Sequence, residues 1–169
     1  FPWTITRDEK HDGSLSVASP DLNHSGAADI EINLFCDQGD IRFWFSVDSE
    51  ENGDYFKFYI DGELKGEWSG SLEFVEVIFP VNTGMHNFKW VYEKNDSISS
   101  GRDKVWLDSI SFPGTTDVDG DNMPDGWEII HSLDPKRDDS SENSDEDLIH
   151  NLKEYQYNFN PLKAETDFN

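Results

Sequence analysis

The chain is poor in the residues that commonly cross-link a protein or give it positive charge. It has one cysteine in 169 residues, so no disulfide bond can form within it. That residue, Cys36, ends an apolar run and is expected to be a small buried side chain, with a catalytic nucleophile as the alternative. Only 13 basic residues stand against 36 acidic ones, and the formal net charge is −23. Because binding to phosphate backbones requires a basic surface, we expect no nucleic-acid partner.

Long apolar runs and common catalytic motifs are also missing. No apolar run approaches the length of roughly 20 residues that crosses a bilayer, so we expect no membrane insertion. The sequence contains no Gly-x-Ser-x-Gly, no His-Glu-x-x-His and no phosphate-binding glycine loop. A glycosidase would need two carboxylates in a cleft, but acidic residues are so frequent that no pair stands out. We therefore expect no enzyme, and a small polysaccharide lyase or hydrolase is the least favoured alternative.

Aromatic residues, by contrast, make up 14% of the chain, which is enough for a hydrophobic core. Aromatic and β-branched runs in residues 1–114 predict six strands: Ile30–Phe35, Ile41–Val47, Tyr55–Ile60, Leu72–Val81, His86–Tyr92 and Val105–Phe112. Four pairs of turn residues separate them: Asp61-Gly62, Lys65-Gly66, Ser69-Gly70 and Thr83-Gly84. No helical period of useful length is present, so this pattern predicts an all-β domain of two packed sheets.

Strand periodicity predicts which side chains face outward, because alternate residues of a strand point to opposite faces. If the apolar residues of these strands point inward, five cations and aromatics point outward: Arg42, Trp44, Lys57, Tyr59 and Lys89. Aromatic rings stack on sugar rings, and cations fix hydroxyls or carboxylates, so these five predict a carbohydrate-binding face. The alternative is that long basic side chains lie over their aromatic neighbours, or that a second sheet covers them.

The most specific pattern lies further on, in the acidic stretch 117–128. Oxygen-bearing side chains occupy its first, third, fifth, ninth and twelfth positions. Calcium takes about six to eight oxygen ligands, and such a loop supplies them from alternate side chains, one backbone carbonyl and a final bidentate Glu. The predicted ligands are Asp117, Asp119, Asp121, Asp125 and Glu128 through their side chains and Met123 through its carbonyl.

The spacing recurs in residues 143–154. Its predicted ligands are Asn143, Asp145, Asp147, Asn151 and Glu154 through their side chains and Ile149 through its carbonyl. The sixth position, usually Gly, is Asn122 in the first loop and Leu148 in the second; Leu tolerates a left-handed backbone poorly, so the second site is the weaker one. Apolar residues after each loop predict short helices that bury them: Trp127, Ile129, Ile130, Leu152, Tyr155 and Tyr157. A solvated acidic linker is the alternative.

These loops carry a family resemblance. The pattern Asp-x-Asp-x-Asp-x-Met-x-Asp-Gly-Trp-Glu, with Leu133-Asp134-Pro135 and Lys153-Glu154-Tyr155 after it, resembles bacterial thrombospondin type 3 repeats over residues 115–169. The resemblance implies calcium-filled loops that form a rigid spacer between secreted modules. Asn143 and Leu148 depart from the family pattern. Residues 165–169 resemble the opening of a third loop, so we expect a fragment of a longer protein.

Residues 1–114 also carry a resemblance, spread over several segments: 14–20, 39–50, 58–62, 84–90, 106–110 and 112–113. Together they resemble the MAM-like, concanavalin-like jelly-roll modules attached to secreted bacterial hydrolases and surface proteins. The resemblance implies a jelly-roll β-sandwich. Such modules bind glycans, mediate adhesion or support a neighbouring domain. The paired cysteines of eukaryotic members are absent here, so adhesive dimerisation of that kind is not expected.

The combined prediction is an all-β protein with two parts. Residues 1–114 form a two-sheet antiparallel jelly-roll β-sandwich that acts as a binding module, and residues 115–169 form a calcium-binding segment of acidic loops and short helices. We expect a non-catalytic carbohydrate-binding accessory module, secreted or on the cell surface, with calcium as its cofactor. Its expected partners are a polysaccharide, acidic if the cations contact it, and other domains of a parent protein. An adhesion or protein-binding module is the main alternative.

Overall fold

The computed structural model describes residues 2–97 and 99–164, so the predicted third-loop opening at residues 165–169 lies outside the described residues. Within those ranges the chain forms β1 (Thr4–Thr6), β2 (Ser16–Ala18), β3 (Ala27–Cys36), β4 (Gly39–Asp48), β5 (Tyr55–Ile60), β6 (Glu63–Trp68), β7 (Ser71–Val81), β8 (Gly84–Glu93), β9 (Lys104–Ser111), α1 (Asp125–Ile130) and α2 (Asn151–Tyr157). Among the described helices, none is long and apolar enough to cross a membrane.

The strands form two antiparallel sheets. One has the order β1-β2-β9-β4-β7 and the other the order β3-β8-β5-β6. Neighbours in each sheet are mostly not consecutive in sequence, so the chain crosses repeatedly from one sheet to the other, as in a jelly-roll β-sandwich. The predicted fold class is confirmed.

The core lies between the two sheets and is built from alternate residues of the long strands. In β4, Ile41, Phe43 and Phe45 are fully buried, while Arg42 between them is exposed. Phe58 of β5 and Trp90 of β8 come from the opposite sheet, and the Phe43 ring lies 4.8 Å from Phe58 and 5.6 Å from Trp90, centroid to centroid. Such edge contacts add about 0.5–1.5 kcal/mol per pair to the effect of burial alone. The predicted inward faces of these strands are confirmed.

One predicted turn is wrong. Lys65-Gly66 lies within β6, where Gly66 pairs with Phe58 and Leu64 with Tyr59, so that Lys65 forms a bulge. A Cβ atom on residue 66 would overlap the Trp68 ring, so the glycine is required for close packing and does not mark a chain reversal. The predicted turn at Asp61-Gly62 is confirmed, since both residues have positive φ, 53° and 77°, between β5 and β6.

The chain divides into two compact units. The first comprises the described residues up to Leu34 together with Gly39–Val81 and His86–Pro113; the second comprises Phe35–Gln38, Asn82–Met85 and the chain from Gly114 onward. The second unit has its own small core, in which Phe35, Met123 and Trp127 are buried. The predicted short helices are both present, but Ile129, Ile130 and Tyr157 are exposed, at 64%, 61% and 60%, contrary to expectation. Six residues make fewer than two turns, so α1 buries only the face that carries Trp127 and Glu128.

Candidate functional site

The first acidic loop is coiled around its own carboxylates. The backbone N–H of Gly120 donates to Asp117 Oδ1 at 2.8 Å, and that of Met123 donates to Asp121 Oδ1 at 2.8 Å. Gly120 and Asn122 turn the backbone through the left-handed region, with φ of 76° and 72°. Asn at the sixth position therefore does what Gly usually does in such loops. Asp119 and Asp121 each use only Oδ1 in these loop bonds and bury an Oδ2 that no donor among the described residues reaches, whereas Asp117 accepts with both oxygens, from Gly120 and Asn122.

The carboxylates meet in two groups that share Asp121. Asp117, Asp119 and Asp121 form the first, and Asp121, Glu128 and Asp139 form the second; within each group the candidate ligand atoms lie within 4.8 Å of one another. The second group is almost completely buried, with residue exposures of 4% for Asp121, 0% for Glu128 and 1% for Asp139. The fold therefore concentrates negative charge inside the second unit.

These buried oxygens lack hydrogen-bond donors. Among the described residues, none donates to either carboxylate oxygen of Glu128, to Asp121 Oδ2 or to Asp139 Oδ1. A buried charge without a partner costs several kcal/mol, so proteins neutralise such groups or place a cation among them. Oxygen-only donors at this spacing fit a hard divalent cation. The buried acidic groups of this unit thus form a centre that can hold a metal ion.

The electrostatics of Glu128 reflect the same arrangement. Burial, reinforced by the charges of Asp121, Asp119 and Asp139, raises the pKa of this carboxyl to about 8. Burial also raises the pKa of Asp121. In protein stripped of cations, Glu128 therefore keeps its proton near neutral pH. Because a metal binds only the deprotonated carboxylate, a cation must displace that proton.

The affinity of this centre for a divalent cation, measured with calcium as the probe, should consequently rise with pH between about 6 and 9. The folded-state pKa of Glu128 is raised, so its contribution to the stability of the cation-free unit is complete below the ordinary value of 4.5 and is lost as pH rises through about 8. Calorimetric titrations at several pH values measure the affinity. Glu128→Gln is the control. The calcium affinity of this variant should be weaker than that of the wild type and should no longer vary with pH between about 6 and 9. An affinity of the wild type that is constant over the window would contradict the prediction.

The second loop repeats the arrangement with less burial. Asp145, Asp147 and Glu154 bring their ligand atoms within 4.8 Å of one another. The backbone turns through the left-handed region at Glu146, with φ of 66°, and not at Leu148, whose side chain is 97% exposed. The conformational objection to Leu at the sixth position therefore does not apply, since the turn lies two residues earlier, where the first loop has Gly120.

Several predicted ligands have structural partners or lie at the edge of these groups. Asp125 is outside both groups, and its Oδ1 accepts from the backbone N–H of Val118 at 2.8 Å. Asn151 is fully buried and braces the loop, donating from Nδ2 to the carbonyl of Asp139 and accepting from the Ser144 hydroxyl. Asn143 donates to the carbonyl of Asp147 at 2.7 Å. Met123 and Ile149 have buried side chains at the same position of each loop.

Asp139 is the residue that sequence reasoning missed. It lies between the two loops, outside both twelve-residue patterns, yet its carboxylate joins Asp121 and Glu128. Its neighbour Asp138 is exposed, so nothing in the sequence distinguishes the two adjacent aspartates. The folded path of residues 129–142, the connecting segment between the two loops, places Asp139 and not Asp138 beside Asp121 and Glu128.

The five predicted carbohydrate-binding residues do not form one face. Arg42 and Trp44 lie on β4 in the first sheet, whereas Lys57, Tyr59 and Lys89 lie on β5 and β8 in the other. The outward faces of two packed sheets point away from each other, so the predicted single face is wrong. Periodicity separates inward from outward residues within a strand, but it does not tell to which sheet a strand belongs.

The Trp44 ring is already covered on the first sheet. His11 stacks on it with a centroid separation of 3.5 Å and an interplanar angle of 6°. The segment that carries His11 is held by Asp108, whose Oδ2 accepts from the His11 backbone N–H at 2.7 Å. Arg42 lies 3.6 Å from Asp40, in an exposed ion pair. A sugar would have to displace His11 before it stacked on this face of Trp44.

On the other sheet, Tyr59 and Lys89 are cross-strand partners, and they line a surface pocket of about 350 Å³. Its remaining lining residues are Asp29, Gly62, Asn87 and Val91. Lys89 Nζ lies 3.2 Å from Asp29 and 3.5 Å from Glu31, and the hydrogen bond that Lys89 donates to Asp29 raises the lysine pKa. Lys57 pairs with Glu93 and does not line this pocket. The pocket thus combines an aromatic ring with hydrogen-bond donors and acceptors.

Fold and site together define a jelly-roll β-sandwich with a buried acidic centre in a second unit. No protein-family model matches the chain, and no curated protein matches it. Among solved structures, the secreted serine protease VesC from Vibrio cholerae has a TM-score of 0.54 at 16% identity, over 66% of this chain and 22% of that one. This chain therefore spans less than a quarter of the VesC chain. At this identity the similarity concerns the fold alone.

Two carbohydrate-binding modules are also similar, at lower scores. A family 35 module from Clostridium thermocellum has a TM-score of 0.39 at 12% identity, over 63% of this chain and 88% of that one. The C-terminal family 6 module of LamC, a marine laminarinase from Zobellia galactanivorans, has a TM-score of 0.35 at 15% identity, over 61% and 86%. At these scores neither similarity carries an argument about this chain.

Proposed function

We propose that this chain is a non-catalytic, extracellular carbohydrate-binding accessory module, in which residues 1–114 bind a polysaccharide and residues 115–169 form a calcium-stiffened spacer to other domains of a parent protein. The observation that carries the cation-binding part of the proposal is the buried carboxylate of Glu128, which has both oxygens without a hydrogen-bond donor among the described residues and lies beside Asp121 and Asp139. A cation bound among these three carboxylates would compensate their charge together, which supports the cation-binding part of the proposal.

Calcium is the cation that this centre fits best. All candidate ligands are carboxylate oxygens that come from an irregular loop and its flanks, which suits a large cation with irregular coordination. Zinc favours cysteine and histidine ligands, and neither residue type belongs to these groups. Magnesium requires tighter octahedral geometry. Calcium sites of extracellular modules bind at about 0.1–1 mM calcium, so a calcium site here would suit a secreted or surface location.

The pocket at Tyr59 is the proposed carbohydrate site. Its aromatic ring offers a stacking surface, Asn87 and Lys89 offer donors, and Asp29 offers an acceptor for sugar hydroxyls. Because Lys89 lies between two carboxylates, the pocket does not present net positive charge. This arrangement argues against the acidic polysaccharide that the cations indicated in sequence. The proposed ligand is a neutral polysaccharide.

Tyr59→Ala should weaken polysaccharide binding about fivefold or more, since one stacking ring contributes on the order of 1 kcal/mol. A glycan array run with and without calcium identifies the ligand, and affinity electrophoresis in gels containing that polysaccharide measures the loss. Trp44→Ala is the matched control, because Trp44 lies on the other sheet beneath His11. Full affinity in Tyr59→Ala with loss in Trp44→Ala would place the site on the first sheet instead.

Salt provides a second readout for the same site. Binding of a neutral polysaccharide should be nearly constant between low and high ionic strength, whereas binding carried by cations weakens as salt screens them. A strong salt dependence would show that the ligand is acidic and that a free cation elsewhere on the sandwich carries the contact.

A further inference from the structure

Asp139 is placed like a cation ligand although it lies outside both loops. Its side chain is 1% exposed, and its carboxylate lies within 4.8 Å of Asp121 and Glu128. Asp139 Oδ2 is 3.4 Å from the Arg137 guanidinium and accepts from the backbone N–H of Asp134 at 3.4 Å, both at the long limit for such contacts. Asp139 Oδ1 is buried, and no donor among the described residues reaches it.

The backbone of Asp139 is tied to the second loop. Its carbonyl accepts from Asn151 Nδ2 at 3.0 Å, and Asn151 is fully buried at the first position of α2. Two backbone bonds strengthen this connection: the Asn151 N–H donates to the carbonyl of Glu142 at 2.9 Å, and the Leu152 N–H donates to that of Ser140 at 3.1 Å. Hydrogen bonds to its backbone carbonyls therefore hold the connecting segment to the second loop, while its Asp139 carboxylate lies beside Asp121 and Glu128 of the first loop.

We propose that Asp139 is a cation ligand of the first loop, supplied from outside that loop, and that through it occupancy of the first loop is coupled to folding of the second. The proposal rests on the calcium binding proposed above. Asp139 supplies the side-chain ligand that the spacing of the loop assigned to Asp125. The Asp125 carboxylate instead accepts a hydrogen bond from the backbone N–H of Val118. A cation at the first loop fixes Asp139, and Asp139 fixes Asn151 at the ninth position of the second loop. Calcium binding to the two loops is then cooperative.

Asp139→Asn in the full chain tests the proposal by calcium titration calorimetry after treatment with a chelator. We expect the first-loop affinity to fall by about tenfold or more, because the number of charged ligands sets the affinity of such sites. We also expect the two binding events to lose their cooperativity. Asp138→Asn is the matched control, with the same charge change on the adjacent exposed residue, and should change affinity less than about twofold. Asp125→Asn should weaken binding less than Asp139→Asn.

Thermal unfolding separates a ligand from a merely structural residue. In cation-free protein, Asp139→Asn removes one of three clustered buried carboxylates, so the second unit should melt at the same or a higher temperature than in the wild type. In saturating calcium, the second unit of the same variant should melt at a lower temperature than that of the wild type. Equal destabilisation under both conditions, or an unchanged calcium affinity, would overturn the proposal. A wild type that binds no calcium would instead refute the proposed function.

Discussion

Removing calcium should lower the melting temperature of the second unit strongly and leave that of the sandwich nearly unchanged. Fifteen acidic residues lie between positions 115 and 169, and their repulsion opposes compaction when no cation neutralises them. A ligand that binds only the folded state adds about 2.7 kcal/mol of stability at a hundred times its dissociation constant. Calorimetry and limited proteolysis, each in calcium and in chelator, follow the two units separately. We expect the chain beyond Gly114 to be cleaved rapidly in chelator.

Single-residue variants test whether the effect comes from the acidic centre. Asp121→Ala and Glu128→Ala should each remove most of the protection that calcium gives, because both carboxylates lie in the buried group. Magnesium should protect less than calcium at equal concentration, since it requires tighter octahedral geometry. If a chelator leaves both the melting and the protease resistance of this unit unchanged, the metal assignment is wrong.

The fold could be predicted where local periodicity determines it. The alternation of aromatic and polar residues along β4 and β5 predicted the buried faces, because burial on one side of a sheet imposes a two-residue period. β1 and β2 have three residues each, too short for any period to show. β6 was missed because Lys65-Gly66 has the composition of a turn, and the need for glycine beneath Trp68 is visible only after folding.

The distinction between local patterns and contacts made only on folding also explains which site residues could be predicted from the sequence. Asp117, Asp119 and Asp121 are brought together by one local loop, so their spacing alone predicts their meeting. Asp139 reaches Glu128 only through the folded path of the connecting segment. Tyr59 and Lys89 meet because β5 pairs with β8, and Trp44 is separated from them by its place in the other sheet. Pairing between distant strands is a long-range property that no local pattern encodes.

The sandwich contains a buried charge cluster of its own, centred on Lys94. The lysine side chain is 1% exposed, and its Nζ lies 2.5 Å from Asp103 and 3.7 Å from Asp54, which is itself fully buried. Nζ also donates to the Ser99 hydroxyl at 3.1 Å. Burial alone would raise the pKa of Asp103, but hydrogen bonds from Lys94 and Ser99 and the lysine charge bring that pKa below its ordinary value. The cluster is compensated only while Lys94 is present.

Lys94→Met should therefore destabilise the sandwich by about 3–5 kcal/mol, because it leaves the buried Asp54 and the partly buried Asp103 without their cation. Urea unfolding followed by tryptophan fluorescence measures the change. Lys65→Met is the control, since Lys65 pairs with the exposed Glu63 and such surface pairs contribute about 0–1 kcal/mol. The low pKa of Asp103 adds a pH signature: its contribution is present above the ordinary carboxyl pKa of 3.8 and is lost as pH falls below it. A loss in Lys94→Met no larger than in Lys65→Met would show that the cluster is hydrated and contributes little to stability.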